Sequence, residues 1–176
     1  MSKLMRVPVP KSSLVQDFGD LLDNSKFSDL ELFVGDKVFH VHKSILATRS
    51  PVFGAMFEHD TKERQENRIS ITDMDSNVVY QMLRFIYTDK VDTEKLVEFG
   101  VGLLVAADKV CVVVITTIHN LLVSLYRPQY DLKRLKALCE ECLCNNLTAQ
   151  NCVQMLEVAN MHGAEQLKPR ALDLIK

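Results

Sequence analysis

Cys139, Cys142 and Cys144 stand in a C-x-x-C-x-C run, and His40 and His42 alternate across the end of a strand-like segment. Thiolates and imidazoles at such spacing are the ordinary ligands of zinc. On a helix, however, Cys139 and Cys142 share a face while Cys144 points elsewhere. No histidine or second C-x-x-C follows at finger spacing, so buried thiols are the better reading. His40 and His42 have no third ligand nearby, and His42 stands where it would cap the helix that follows. Serine, histidine and aspartate are present, but no G-x-S-x-G frames a nucleophile. No glycine-rich loop offers to cradle a phosphate. The expectation is a chain with no catalytic residue, no metal site and no cofactor.

At 176 residues the chain is long enough to bury a core of its own. Its net charge of -2 supplies no electrostatic footprint for nucleic acid or an anionic membrane. Five cysteines, an odd number, with no cationic-then-apolar leader in the first 20 residues, suit a reducing compartment. The nucleus and the cytoplasm both satisfy that.

The elements that would position any site are legible as periodicities. V-P-V-P ends an extended lead-in, residues 1–11. From Ser12 the pattern turns helical, with Leu14, Phe18, Leu21 and Leu22 on one stripe and Ser13 placed to cap it. Such a stripe needs cover, either on its own domain or on a second subunit. Asp29–Val34 and Lys37–Val41 alternate around Gly35-Asp36, a hairpin signal. His42–Glu58 reads as two short helices broken at Ser50-Pro51. Asn67–Ile71 is a third strand. Asp75–Tyr87 and Lys95–Lys109 are helices, the second weakened by Gly100 and Gly102. Leu132–Cys144, Ala149–Met161 and Glu165–Ile175 complete the run. A three-stranded sheet with helices around it and an all-helical tail is an α+β architecture.

Three strings in that frame carry a resemblance. They are D-L-E-L-F-V from Asp29, H-K-x-x-L-A-x-R-S-P-x-F-x-A-M-F from His42, and F-I-Y-T from Phe85. Together they resemble the BTB/POZ domain, most nearly its speckle-type POZ protein (MATH-BTB) branch. The tail from Leu132, with Asn146-Leu147-Thr148 and Asn151, resembles the start of the BACK region that follows such domains. The resemblance implies a BTB/POZ fold over residues 12–109, and over 130–176 the end of that domain with a truncated helical BACK segment. It also implies a substrate-binding MATH domain before the chain, of which L-M-R-V-P is the exit linker, and further helices after it.

Function follows from the resemblance as protein binding without catalysis. It implies a two-fold dimer, with itself or a related BTB protein, in which Leu14, Phe18, Leu21 and Ile45 occupy the apolar interface positions. Asp29 and Arg49 match a charged pair at the floor of the dimer groove, where some BTB repressors receive corepressor peptides. It further implies an adaptor or regulatory role in a cullin-3 ubiquitin ligase. The cullin-binding signature after M-F-E-H is a hydrophobic residue, any residue, then glutamate. Here Glu63 fills the acidic position and Thr61 stands where the hydrophobic residue belongs, with Met56, Phe57, Glu58 and Tyr87 around them. Threonine in place of a Met- or Leu-type knob forfeits roughly 1–3 kcal/mol, about one to two decades of affinity. The alternative within the family is a repressor-type assembly module without ligase function.

One stretch breaks the pattern. The family runs from A-A-D-K directly into Y-x-L-x-R-L-K, whereas here the 20 residues Val110–Gln129 lie between Lys109 and Tyr130. They are β-branched and carry a single full charge, Arg127. As a membrane span the segment is short of the roughly 20 apolar residues needed and contains His119 and Asn120. As an extra strand or hairpin it would expose a long apolar edge. As translated intron it fits: valine codons begin with GT, a glutamine codon ends in AG, and the frame is kept. Sequencing transcripts across this junction should find a spliced form joining the Lys109 codon directly to that of Tyr130; its absence would remove the intron reading.

Overall fold

The computed structural model describes residues 10–58, 66–117 and 132–175. Helix α1 (Leu14–Asn24) turns Gly19 and Leu22 inward and leaves Leu14 and Val15 largely in solvent. Ser13 does not cap it. Its Oγ donates to Asp17 Oδ2 at 2.8 Å instead of accepting a backbone N–H. The far end is fastened to the domain: Tyr80 Oη and Arg84 Nη1 both donate to the Asp23 carboxylate, at 2.8 and 3.0 Å.

Strand β1 (Leu30–Val34) pairs antiparallel with β2 (Lys37–Val41), Leu30 opposite Val41 and Val34 opposite Lys37. The reversal passes through Gly35 at φ 56°, a region that a residue without Cβ enters freely. Strand β3 (Arg68–Ile71) lies on the other side of β1 and parallel to it, Leu32 beside Ile69, so the order is β2-β1-β3. Period-two alternation sends Leu30, Leu32, Val34, Ile69 and Ile71 to one buried face.

Between β2 and β3 run α2 (Lys43–Arg49) and α3 (Pro51–Glu58), broken where extended Ser50 precedes Pro51. Asp75 then caps α4 (Ser76–Thr88), its carboxylate accepting the Asn77 N–H at 2.8 Å. Val78, Val79, Met82, Leu83 and every residue from Phe85 to Thr88 are buried. A helix apolar on nearly all sides must be covered on all of them, and α1, α2 and α5 (Thr93–Thr117) pack around it.

Helix α5 is longer than its sequence suggests. The pattern predicts an end at Lys109, yet the helix continues through Thr117, the first part of the apolar insert. Over those residues neither a strand nor a hairpin forms. Extending an existing helix needs no new nucleus, and the propensity deficit of valine and isoleucine is only some tenths of a kcal/mol per residue. The remainder of the insert lies outside the described residues. No helix among the described residues is long and apolar enough to cross a membrane.

The helical tail is α6 (Lys133–Asn145), α7 (Cys152–Met161) and α8 (Leu167–Ile175), with α6 against α5 and α8 packed on both α6 and α7. Helix α7 begins at Cys152, not at Ala149, because Asn151 closes a turn first. Its Oδ1 accepts the Thr148 N–H at 2.8 Å while its Nδ2 donates to the Asn146 carbonyl at 3.0 Å. The start of α8 is capped from a different helix: buried Glu140 accepts the N–H groups of Gln166 and Leu167 on Oε2, at 2.7 and 3.3 Å. A carboxylate there meets the partial positive charge of the helix start. The tail is tied to α5 through Asp108, which takes Lys136 Nζ at 3.2 Å and His162 Nδ1 at 3.0 Å.

Gly100 and Gly102, which propensity alone marks as weak points, are where neighbouring helices come closest. A Cβ on Gly102 would sit 2.7 Å from Val78 Cγ2, and one on Gly100 3.4 Å from Leu143 Cδ2. The Gly102→Val variant should therefore lose about 1–3 kcal/mol to overpacking, a melting shift of some 2–4 °C per kcal/mol. Calorimetry on that variant, and on Gly102→Val with Val78→Ala, should show the loss and its partial recovery.

Candidate protein-binding surfaces

The exposed stripe of α1 faces the start of α2 and the end of α4 across an open groove of about 530 Å³. Its walls are mainly apolar, from Leu14, Val15, Phe18, Ile45, Ile86 and Tyr87. Leu14 is 60% exposed and Val15 40%, so large apolar surface stands uncovered at the rim. Three of the four residues read as interface positions, Leu14, Phe18 and Ile45, meet here; Leu21 is half-buried on the same helix and does not line the groove. The two fates open to the α1 stripe are divided: Gly19 and Leu22 dock on the domain itself, and the N-terminal half is left for something else.

The end of the groove is polar, but not as the charged-pair expectation has it. Asp29 and Arg49 do not pair with each other. Asp29 Oδ1 accepts the Lys43 N–H at 2.8 Å and so caps α2, the role the sequence assigns to His42. Arg49 instead donates through Nη2 to Asp89 Oδ1 at 2.5 Å and through Nε to the Ile86 carbonyl at 3.1 Å. Asp89 also holds Arg134 of α6, whose Nε lies 2.9 Å from Oδ2. An aspartate beside an unpaired backbone N–H at a helix start satisfies it locally, and a distant arginine cannot compete for that oxygen.

Beneath the groove, His42 and Tyr87 form a closed knot. The Tyr87 hydroxyl oxygen accepts the His42 N–H at 2.9 Å and lies 2.8 Å from His42 Nδ1. His42 Nε2 lies 2.6 Å from the Lys26 carbonyl, which can only accept. The network therefore assigns the proton to Nε2 and leaves Nδ1 to accept from the tyrosine. With both ring nitrogens used, His42 is no metal ligand, and His40 faces Glu31 at 3.9 Å. Among the described residues no three His, Cys, Asp or Glu side chains gather as a metal group. Cys139 is fully buried, and burial pushes its thiol up to about 12; burial also raises Cys142 and Cys144. Thiols held protonated in this way pack as small apolar groups.

The expected cullin surface is only partly at the surface. Phe57 is half-buried, stacked on Phe53 at 6.2 Å with Lys43 Nζ 5.7 Å over its ring, and Glu58 is exposed. Met56 is 2% exposed and Tyr87 6%, so both belong to the core and support the surface instead of presenting it. Thr61 and Glu63 lie outside the described residues. His42 and Tyr87 each stand in a string that carries the family resemblance, but nothing in either string signals that the two rings meet.

A family model, the BTB/POZ domain, matches residues 18–147. Among solved structures, the BTB domain of zebrafish PATZ1 shares the fold with a TM-score of 0.52 at 19% identity, over 78% of this chain and 98% of that one.

Burial also raises Tyr87, to about 12 from the usual 10.0. The neutral hydroxyl is thus favoured by folding, so its stabilisation is whole below pH 10 and drains as pH rises through about 12. Cys139 acts in the same direction from the ordinary thiol value of 9.0. Denaturant titrations should show stability falling above pH 9, with a shallower fall above pH 10 in Tyr87→Phe. At neutral pH that variant should lose about 1–3 kcal/mol, because the His42 N–H and Nδ1 are left buried without a partner.

Proposed function

The chain belongs to the BTB/POZ family, a protein-interaction and dimerisation fold, and on that premise we propose that it works as a dimeric adaptor-type or regulatory subunit of a cullin-3 ubiquitin ligase. The observation that carries the dimer is the groove whose rim is built from uncovered Leu14 and Val15. In a two-fold arrangement each copy offers this stripe to the groove of the other, so every contact is made twice. Residues 130–176 serve as the end of this domain and the beginning of a BACK-type region. A MATH-type substrate domain would come from a complete relative paired with this chain, in the nucleus or the cytoplasm.

The cullin-3 part rests on Phe57 and Glu58 at the surface end of α3 and on the M-F-E-H string. Thr61 weakens that contact relative to a hydrophobic residue, and the insert stands between α5 and α6, the helices beside it. The alternative, a repressor-type assembly module, would use the same groove for a peptide.

Sedimentation velocity should find the chain dimeric and Leu14→Glu monomeric yet folded. Burying one leucine is worth about 1.5–3 kcal/mol and the contact occurs twice, so the dimer constant should weaken about a hundredfold or more. Calorimetric titration of the cullin-3 N-terminal domain should give measurable binding to the form that joins Lys109 to Tyr130. Thr61→Met in that form should tighten it about tenfold. A folded dimer that does not bind in either form would favour the assembly-module alternative.

A further inference from the structure

Asp89 holds the left-handed position that ends α4, one that aspartate tolerates and glycine takes with less strain. It follows the last residue of α4 with φ 57°, in the left-handed region where glycine sits without strain. Its backbone N–H closes the helix onto the Phe85 carbonyl at 2.8 Å, a bond any residue could make. What only the side chain provides is a carboxylate at the end of the groove. One oxygen takes Arg49 and the other takes Arg134.

The consequence for the groove is electrostatic. Arg49 is the one cationic side chain among the described residues that line it, and Asp89 the one anionic. Asp29, the other acid near α2, is committed to the Lys43 N–H. With Arg49 held by Asp89, the residues lining the groove present apolar walls and a paired charge at one end, while Arg134 meets the second oxygen from outside the lining. In the single chain both side chains are partly in water, at 41% and 45% exposure, and a pair so placed contributes little to stability. Once a second copy covers the groove the situation changes. An arginine under that cover without its acid is an unpaired charge taken out of water, which opposes association strongly.

We propose that Asp89 determines which kind of partner the groove takes: by holding Arg49 it selects the apolar α1 stripe of a second copy and denies an acidic segment the cation it would bind. The inference rests on the dimer reading above. Arg134 is a spectator to this choice, since it approaches Asp89 from α6 and does not line the groove.

The test uses Asp89→Asn in the full chain. Asparagine keeps the size of the side chain and tolerates the left-handed backbone, so the fold should be retained, checked by melting temperature. Sedimentation equilibrium should give a dimer dissociation constant about tenfold weaker than wild type. A fluorescein-labelled peptide of alternating glutamate and leucine should bind Asp89→Asn in a salt-sensitive manner and leave wild type unbound. Adding Arg49→Met to Asp89→Asn should reverse both effects, and Arg134→Ala alone should produce neither. A dimeric wild type whose constant Asp89→Asn leaves unchanged would overturn this inference alone. So would equal binding of the acidic peptide by wild type, or an effect of Arg134→Ala matching that of Asp89→Asn. A monomeric wild type would overturn the dimer reading and this inference with it.

Discussion

Helix α4 is apolar on nearly every side, and the arrangement of the domain answers the need to cover it. Its residues from Val78 to Thr88 leave only Tyr80, Gln81 and Arg84 incompletely buried. Tyr80 and Arg84 are spent on Asp23 of α1. The cover comes from three directions, α1, α2 and α5, and each contact is close enough to constrain what lies beyond it. Gly102 lets α5 approach Val78; Tyr87 holds the first residue of the α2 region through His42; Gly19 lets α1 lie against Arg84 and Thr88. The groove is what remains when α1 covers α4 with only half of its stripe. Its geometry is therefore a by-product of core packing, which is why its floor is buried while its rim is apolar and exposed.

The periodic parts of this architecture were legible in the residues. Alternation around Gly35-Asp36 fixes the hairpin, Ser50-Pro51 fixes the break between α2 and α3, and the spacing of Val78, Met82, Leu83 and Phe85 fixes α4 to within a residue. Three of the four interface residues converge, because a stripe at helical spacing implies a common face whatever it docks on. The failures share a cause. The Ser13 cap, the His42 cap, the Asp29–Arg49 pair and the place of Met56 and Tyr87 around the cullin signature all depend on which of several short polar or apolar contacts wins in three dimensions. Asp29 is thirteen residues before His42 by the path of the hairpin, yet antiparallel pairing brings it beside Lys43. Sequence spacing contains the strands but not that closure. Helix α5 illustrates the opposite limit, where local propensity points to strand and continuity of an existing helix prevails.

Thr88 turns its buried hydroxyl to the Arg84 carbonyl one turn back, but several other polar groups near the core are satisfied by partners distant in sequence. Glu140 of α6 completes the first turn of α8, Asp108 of α5 gathers Lys136 and His162, and Tyr87 of α4 completes His42. Ser50 is the exception, a buried hydroxyl with no partner at the α2–α3 break. The Asp108 contacts, with Arg134 on Asp89, join the helical tail to the sheet-bearing part.

The same economy accounts for the charge at the groove. An aspartate has two oxygens and binds whichever donors reach them first. At Asp29 the nearest donor is a backbone N–H at a helix start, so the acid becomes a cap and is withdrawn from the groove. At Asp89 the backbone turns left-handed and carries the side chain outward, where only arginines reach it, so the acid becomes the neutraliser of the groove. Two aspartates 60 positions apart thus take opposite roles for a local backbone reason. Specificity at such a surface follows from that allocation more than from the shape of the apolar walls. Apolar walls accept any helix with a suitable stripe, whereas an uncompensated charge in a covered groove excludes every partner that cannot match it. Partner choice in this chain is therefore written at the end of α4, outside the apolar positions that provide most of the buried area.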